Sequence, residues 1–449
     1  MTAAPMPGTP TGKIVVSYDS IVKPFPDTPT LLAKTRQAAG KVIPDAGQAD
    51  RKVAQFAAAL KELQTSQGNH PRVMNTPRNA MAAQLQTHLA QCAGQENKLE
   101  SFILKSVDFV LEAFDVRFSS ADWLGYMTSF FTWIGDLVPA ACPPAAPKAE
   151  PIPNHFRMAV IGDWGTGLYG APVCAASLTG DAANYDLLLH LGDIYYSGLP
   201  NEVEDRFEKY WPPSPPSAVG RSLNGNHEMY TGGHGYFEKL LPLLKQPSSY
   251  FACQNDFWTL AMLDSAYSQP FGGQEGDLFQ AQMDWLDGII QAAGDRKLVL
   301  FSHHQPFSLL DPNQGPNLVR WLDKYLERQR IFAWYWGHEH RCVLYDPHAA
   351  WGFRGRCVGH GGFPENRIDL SSAPFTEDLG SQWRRVAGKT IGGVAIPSAY
   401  ALDTPNLYVP TFEAQFSPNG FMRLEFRDGE LSEDVRAPGN DSIYSRALV

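Results

Sequence analysis

Between residues 156 and 340 the chain repeats one local design four times: an apolar stretch ends in a small residue followed at once by Asp or His. Phe156 to Ile161 leads into Gly162-Asp163-Trp164-Gly165, and Leu187 to Leu191 leads into Gly192-Asp193-Ile194-Tyr195-Tyr196. Gly225-Asn226-His227-Glu228 comes next. Leu298 to Phe301 then precedes Ser302-His303-His304, and Ile331 to Trp336 precedes Gly337-His338-Glu339-His340. Short continuous apolar runs bounded by glycine are the pattern of strands buried on both faces. A further such run is Phe257 to Leu263. Helical spacing separates the runs, with Leu278, Gln282, Trp285, Leu286 and Ile289 on one helix and a second over 317–328. Strands alternating with helices predict an α/β fold with layered sheets, whose sites form at the carboxyl ends of the strands. Phe421 to Leu431 alternates around Asp428-Gly429, which predicts a hairpin.

The first part of the chain follows a different period. Residues 1–45 are rich in Pro, Thr and Gly and are expected to be extended or loop-like. From about residue 48, Val53, Phe56, Ala57, Leu60 and Leu63 form a helical stripe. Thr76-Pro77 has the chemistry of a helix start, with Met81, Leu85, Leu89 and Cys92 following on one face. A third helix is expected from Leu99 to Phe114, and an aromatic stretch from Trp123 to Ile134 reads as a buried bundle helix. The expected division is therefore a helical region over 1–138, a Pro-rich linker over 139–154 and an α/β domain over 155–449.

Composition excludes several classes. The formal net charge is -10, so a general nucleic-acid binder is not expected, because the chain would repel the phosphate backbone. A bound cation reverses the local field, so small anionic substrates remain compatible. The 6 cysteines contain no C-x-x-C pair and make no disulfide framework. Free buried thiols are expected, with Cys342 and Cys357 as the one pair that neighbouring strands could bring together. No apolar run is long enough to span a membrane, and the N-terminus lacks the basic and apolar regions of a classical secretory signal, which makes the cytoplasm the default location and non-classical secretion the alternative.

Carboxylates and imidazoles gathered at strand ends suit a site for one or two transition metals. The order D-x-G, G-D-x-x-Y, G-N-H-[DE], a His after a strand, then G-H-x-H resembles the calcineurin-like metallophosphoesterase superfamily, and within it the purple acid phosphatases. Two features carry the narrower likeness: Gly165 stands where most relatives have histidine, and Tyr196 occupies the tyrosine position of G-D-x-x-Y. The likeness covers about residues 155–435 and implies a four-layer αββα sandwich, preceded here by the helical domain. It also implies a binuclear centre of Fe(III) and a divalent metal, iron, zinc or manganese, hydrolysing small phosphate monoesters through a metal-bound hydroxide. Carried across, Asp163, Tyr196 and His340 would bind the ferric ion, Asn226, His303 and His338 the divalent ion, and Asp193 both. His227 and His304 would be the imidazoles that serve the substrate and leaving group. His303 takes the ligand position because it follows the strand and Ser302; exchange of roles with His304 is the alternative. His360 is expected either to line the pocket or to be structural.

Two other functions compete. One is a phosphodiesterase of the same superfamily. The other is an interaction protein in which the helical region binds a partner and the chemistry is secondary.

Overall fold

The computed structural model describes residues 28–67, 79–88, 127, 130–131, 133–135, 137–142, 146–181, 184–212, 218–269, 276–376, 379–409 and 412–448. The chain divides into two compact units. One holds Ala140–Met229 and Gly233–Val449; the other holds the helices that precede Ala140, together with Tyr230–Gly232.

The helical unit begins earlier than composition suggests. Thr28–Val42 is a helix, not an extended segment. Leu31, Thr35, Ala38 and Ala39 are fully buried at helical spacing, and the Thr35 hydroxyl donates to the Leu31 carbonyl, which satisfies it inside the helix. Proline and threonine around this stretch obscure that period. Ala46–Gln67 follows as expected, burying Val53, Phe56 and Leu60. The next helix is capped by Asn79, whose Oδ1 accepts the amides of Met81 and Ala82. Thr76-Pro77, Cys92 and the helix expected over 99–114 lie outside the described residues. Met127, Phe130 and Phe131 of the aromatic stretch are fully buried, with the Phe56 ring 6.3 Å from both phenylalanines, as a bundle helix requires. Among the described residues no helix is long and apolar enough to cross a membrane.

The second unit is a two-sheet sandwich. One sheet has the spatial order Ser442–Ala447, Glu430–Arg436, Phe421–Arg427, His155–Ile161, Leu187–His190, Val219–Ser222. The other contains ten strands, centred on Trp258–Met262, Lys297–Ser302, Ile331–Trp336, Arg354–Val358 and Cys342–Pro347. Their facing sides share one core in which Met158, Val160 and Leu189 meet Leu260, Val299 and Tyr335. Helices Gln280–Ala293 and Pro316–Leu326 cover the outer face of the larger sheet, and Ala171–Gly180 covers that of the smaller. The architecture is the expected αββα.

Differences from expectation are local. Glu150–Pro151, the end of the stretch read as a linker, is an edge strand parallel to Phe251–Gln254, the one sheet position that tolerates proline. Pro147 before it accepts a hydrogen bond from the Trp285 indole. Cys342 pairs with Val358 and Cys357 with Val343, so the two thiols are one step out of register, and both are free.

Parallel register brings the polar strand ends together. Ile161 pairs with His190, so Gly162-Asp163 and Leu191 to Asp193 emerge side by side. Ser302 pairs with Trp336, so His303 and Gly337-His338 do the same from the facing sheet.

Candidate metal centre

Asp163, Asp193, His338 and His340 all have left-handed backbones, with φ of 55°, 77°, 68° and 55°. Such conformations cost a non-glycine residue about 1–3 kcal/mol each and persist only where the surroundings impose them. Here hydrogen bonds impose them. The Asp163 amide donates to Gly192, and the His338 amide to Asp163 Oδ2 at 2.8 Å. Buried Glu228 accepts the amides of Asp193 and Gly225 on one oxygen. A Cβ on Gly225 would lie 2.2 Å from Asp193 Oδ1, so this approach admits only glycine.

Two groups of side-chain atoms converge, joined by Asp193. In the first, His340 Nε2 lies 3.3 Å from Asp163 Oδ1, and Asp193 completes a buried set of three. In the second, Asn226 Oδ1 lies 2.8 Å from His303 Nε2 and 3.0 Å from His338 Nδ1. His303 Nε2 is also 3.4 Å from Asp193 Oδ1. Ligand atoms that share one ion at about 2.1 Å stand about 3 Å apart along an octahedral edge, so both groups have the spacing of coordination shells.

The tyrosine in this cluster is Tyr195, not Tyr196. The Tyr195 hydroxyl is 3.0 Å from His340 Nε2, 3.2 Å from Asp163 Oδ1 and 3.3 Å from Asp193 Oδ2. Tyr196 instead lies beneath the Arg206 guanidinium, 5.1 Å from ring centroid to Cζ. The cause is a clamp just downstream. The Glu202 carboxylate accepts the amides of Tyr196, Ser197 and Leu199, which pins the chain from Tyr196 onward away from the two aspartates. Arg206 holds the other side by donating to the Tyr195 carbonyl. Gly165 matters here for space: a Cβ there would lie 2.6 Å from the Asp193 carbonyl oxygen.

Titration shifts record the crowding of like groups. Burial, then Asp163 and Glu228, raise the Asp193 carboxyl well above its usual range. Burial and the two aspartates push the Tyr195 phenol up as well. Burial, then His304 and His338, hold the His303 ring well below its usual range. His340 rises although burial opposes its charge, because Asp163 and Glu365 outweigh burial. Oxygen donors that repel one another and imidazoles that share one space are the donor chemistry that cations resolve, so these residues fit a two-metal group.

Neighbouring side chains orient the donors. His303 Nδ1 donates to the Leu191 carbonyl at 2.9 Å, which leaves Nε2 as the coordinating nitrogen. His340 Nδ1 meets Glu365 Oε2 at 3.3 Å. His227 Nδ1 meets the Tyr196 carbonyl at 2.5 Å, and its Nε2 lies 3.7 Å from Asp193 Oδ2. His304 sits against His338 at 4.7 Å between ring centroids and meets the Ser265 hydroxyl through Nδ1 at 2.9 Å. Asp264 accepts from Asn224 Nδ2 and from the amides of Ala266 and Tyr267, fixing the loop that presents Asn226. Burial lifts its carboxyl to about 6.

Sequence reasoning missed Tyr195, Glu202, Asp264, Ser265 and Glu365. Asp264-Ser265 directly follows the strand Trp258–Met262 and its neighbour Leu263, so the strand-end rule had the signal for it. Glu365 lies in an irregular stretch with no pattern to mark it. Three further histidines have other surroundings. His234 pairs with Glu238, His348 stacks on Trp351 at 4.1 Å, and His360 is fully buried beside Gly420.

Residues 156–342 match the model of the calcineurin-like phosphoesterase family. The chain carries a calcineurin-like phosphoesterase domain. Over 178 residues it is 26% identical to the glycerophosphodiester phosphodiesterase GpdQ of Enterobacter lignolyticus, covering 38% of this chain and 61% of that protein. Over 218 residues it is 23% identical to tartrate-resistant acid phosphatase type 5 of Sus scrofa, covering 41% and 64%. The chain thus spans about three-fifths of the length of these curated relatives. Among solved structures, a purple acid phosphatase of yellow lupin (Lupinus luteus) aligns with a TM-score of 0.41 at 13% identity, covering 66% of this chain and 55% of that one. The phosphoesterase match ends at Cys342, so Glu365 lies beyond it, whereas every other donor described above lies within it.

Proposed function

We propose that the protein is a metal-dependent phosphate monoester hydrolase of the acid phosphatase type, with Fe(III) and a divalent ion as its metals. The observation that carries this reading is the Tyr195 phenol oxygen among two carboxylates and an imidazole. A phenol ordinarily titrates near pH 10, and a hard trivalent ion is the partner that would hold it as phenolate. In this reading Asp163, Tyr195 and His340 hold the ferric ion, Asn226, His303 and His338 the divalent ion, and Asp193 both. When bound, the two cations neutralise charge on the phosphate and activate water.

The chain's own groups do the rest. A water oxygen adds to phosphorus and gives up a proton to solvent, the ester P–O bond breaks, and the leaving alkoxide takes a proton from an imidazole. His227 and His304 are the imidazoles placed to make that transfer. The Tyr196 carbonyl and the Ser265 hydroxyl fix the orientation of the two rings.

The test is metal analysis of the native protein beside turnover of an aryl phosphate and a bis-aryl phosphate. More than one metal per chain with faster monoester turnover supports the proposal. Faster diester turnover overturns the monoesterase assignment and favours the diesterase reading, for which the likeness to GpdQ is the supporting observation. Metal without hydrolysis of either ester overturns both and leaves a partner-binding role for the helical unit.

A further inference from the structure

Beside the strand Cys342–Pro347, away from the metal centre, lies a cavity of about 150 Å³. Asp346, Arg354, Arg356, Tyr400, Tyr444 and Arg446 are prominent in its wall. Arg354 begins the strand whose other end, Val358, accepts the Gly162 amide next to Asp163. Four residue steps along the strand separate those ends, about 13 Å.

The charges in this wall do not balance. Arg356 is committed to buried Glu433 through Nε, at 2.8 and 2.9 Å, and to the Tyr345 and Gly355 carbonyls through Nη1. Asp346 is committed to Arg385, which also lies over the Tyr400 ring at 4.4 Å. That leaves Arg354 and Arg446, neither of which has a carboxylate within ion-pair distance among the described residues. Arg354 is half-buried with its guanidinium over Phe332 at 4.7 Å. Burial and the neighbouring Arg356 lower its proton affinity, and Glu433 opposes them only in part. Two guanidinium groups without a carboxylate at ion-pair distance, facing a cavity with tyrosines beside it on a chain of net charge -10, have the chemistry of an oxyanion site.

We infer that this cleft binds a small tetrahedral oxyanion, phosphate or a phosphate-bearing small molecule, through Arg354 and Arg446, independently of the metal centre. The full chain is titrated with inorganic phosphate by calorimetry, both metal-loaded and stripped with chelator. Two binding phases are expected in the loaded protein and one in the stripped protein. Arg446→Gln, an exposed change that leaves the core untouched, should weaken the stripped-protein phase at least three-fold. Arg354→Ala with Arg446→Gln should abolish it while aryl phosphate turnover stays within two-fold. A parallel titration with a non-hydrolysable alkyl phosphonate separates the two sources, since the tighter ligand identifies which one the cleft prefers. Absence of phosphate binding by the stripped protein, or binding that both variants leave unchanged, overturns the inference. Neither result bears on the monoesterase proposal, which is read from the metal-loaded centre.

Discussion

Replacing Tyr195 by Phe removes one oxygen that lies 3.0–3.3 Å from His340, Asp163 and Asp193 and keeps the buried ring. Loss of a group that merely orients a metal ligand costs about 10–100-fold in metal affinity. Loss of a donor atom should reach the upper end or pass it, about 2.7 kcal/mol or more. Tyr196→Phe also keeps its ring beneath Arg206 and should change iron affinity less than about three-fold, about 0.7 kcal/mol. Phenolate bound to Fe(III) gives a visible charge-transfer band, so the iron-loaded, oxidised protein should be violet or pink. The assay pairs the visible spectrum of each variant with iron retention against a competing chelator. Tyr195→Phe should lose the band and release iron; Tyr196→Phe should keep both. A band that survives Tyr195→Phe and disappears in Tyr196→Phe would show that motif spacing names the ligand and that the loop geometry misleads. A band absent from iron-loaded wild type would remove the tyrosinate altogether.

Three further outcomes follow from the same geometry. Asp193→Asn takes the shared charge from both groups, so metal content should fall below one per chain, measured by elemental analysis. Glu365→Gln should weaken metal binding about 10–100-fold through His340, with Tyr195 still giving its band in saturating iron; unchanged affinity would leave Glu365 a bystander. Burial pushes the rings of His190 and His360 down to about 3 from an ordinary 6.5. Above pH 6.5 neither folded nor unfolded ring is charged, and between 6.5 and about 3 only the unfolded ring binds a proton, so stability falls on acidification. From pH 7 to 5 the cost is about 2 kcal/mol for each ring, and urea unfolding of His360→Leu should show a shallower pH dependence than wild type.

Much of the sandwich unit is legible in the chain because its central strands Leu187–His190, Lys297–Ser302 and Ile331–Trp336 are nearly continuous apolar runs. Ile331–Trp336 has no polar residue to blur its ends, and its parallel partner Lys297–Ser302 is bounded by the histidine pair. Residues that leave adjacent parallel strands at one end must meet, so Asp163, Asp193, His303 and His338 converge by topology alone. The start of the helical unit is less legible. Leu31, Thr35 and Ala38 lie on one buried face, yet alanine and threonine contribute little to a hydrophobic period, and nearby prolines suggest a loop.

The tyrosine pair shows where a linear pattern stops being sufficient. Tyr195 and Tyr196 have the same side chain, both are almost wholly buried, and the motif spacing separates them by one position only. What distinguishes them is the path of the backbone after Asp193, and that path is set by Glu202, whose carboxylate takes three consecutive-turn amides out of solvent. Buried amides left without an acceptor cost about 1–3 kcal/mol each, so the loop is held firmly to this carboxylate. Arg206 adds a second constraint through the Tyr195 carbonyl. Removing the clamp is therefore the sharper test of why Tyr195 faces the aspartates. Glu202→Ala leaves both tyrosines in place but frees the loop, so the charge-transfer band should shift or weaken in the single variant and vanish when Tyr195→Phe is added. If instead the band of Glu202→Ala survives Tyr195→Phe and is lost with Tyr196→Phe, the loop has two registers, and the carboxylate selects between the tyrosines.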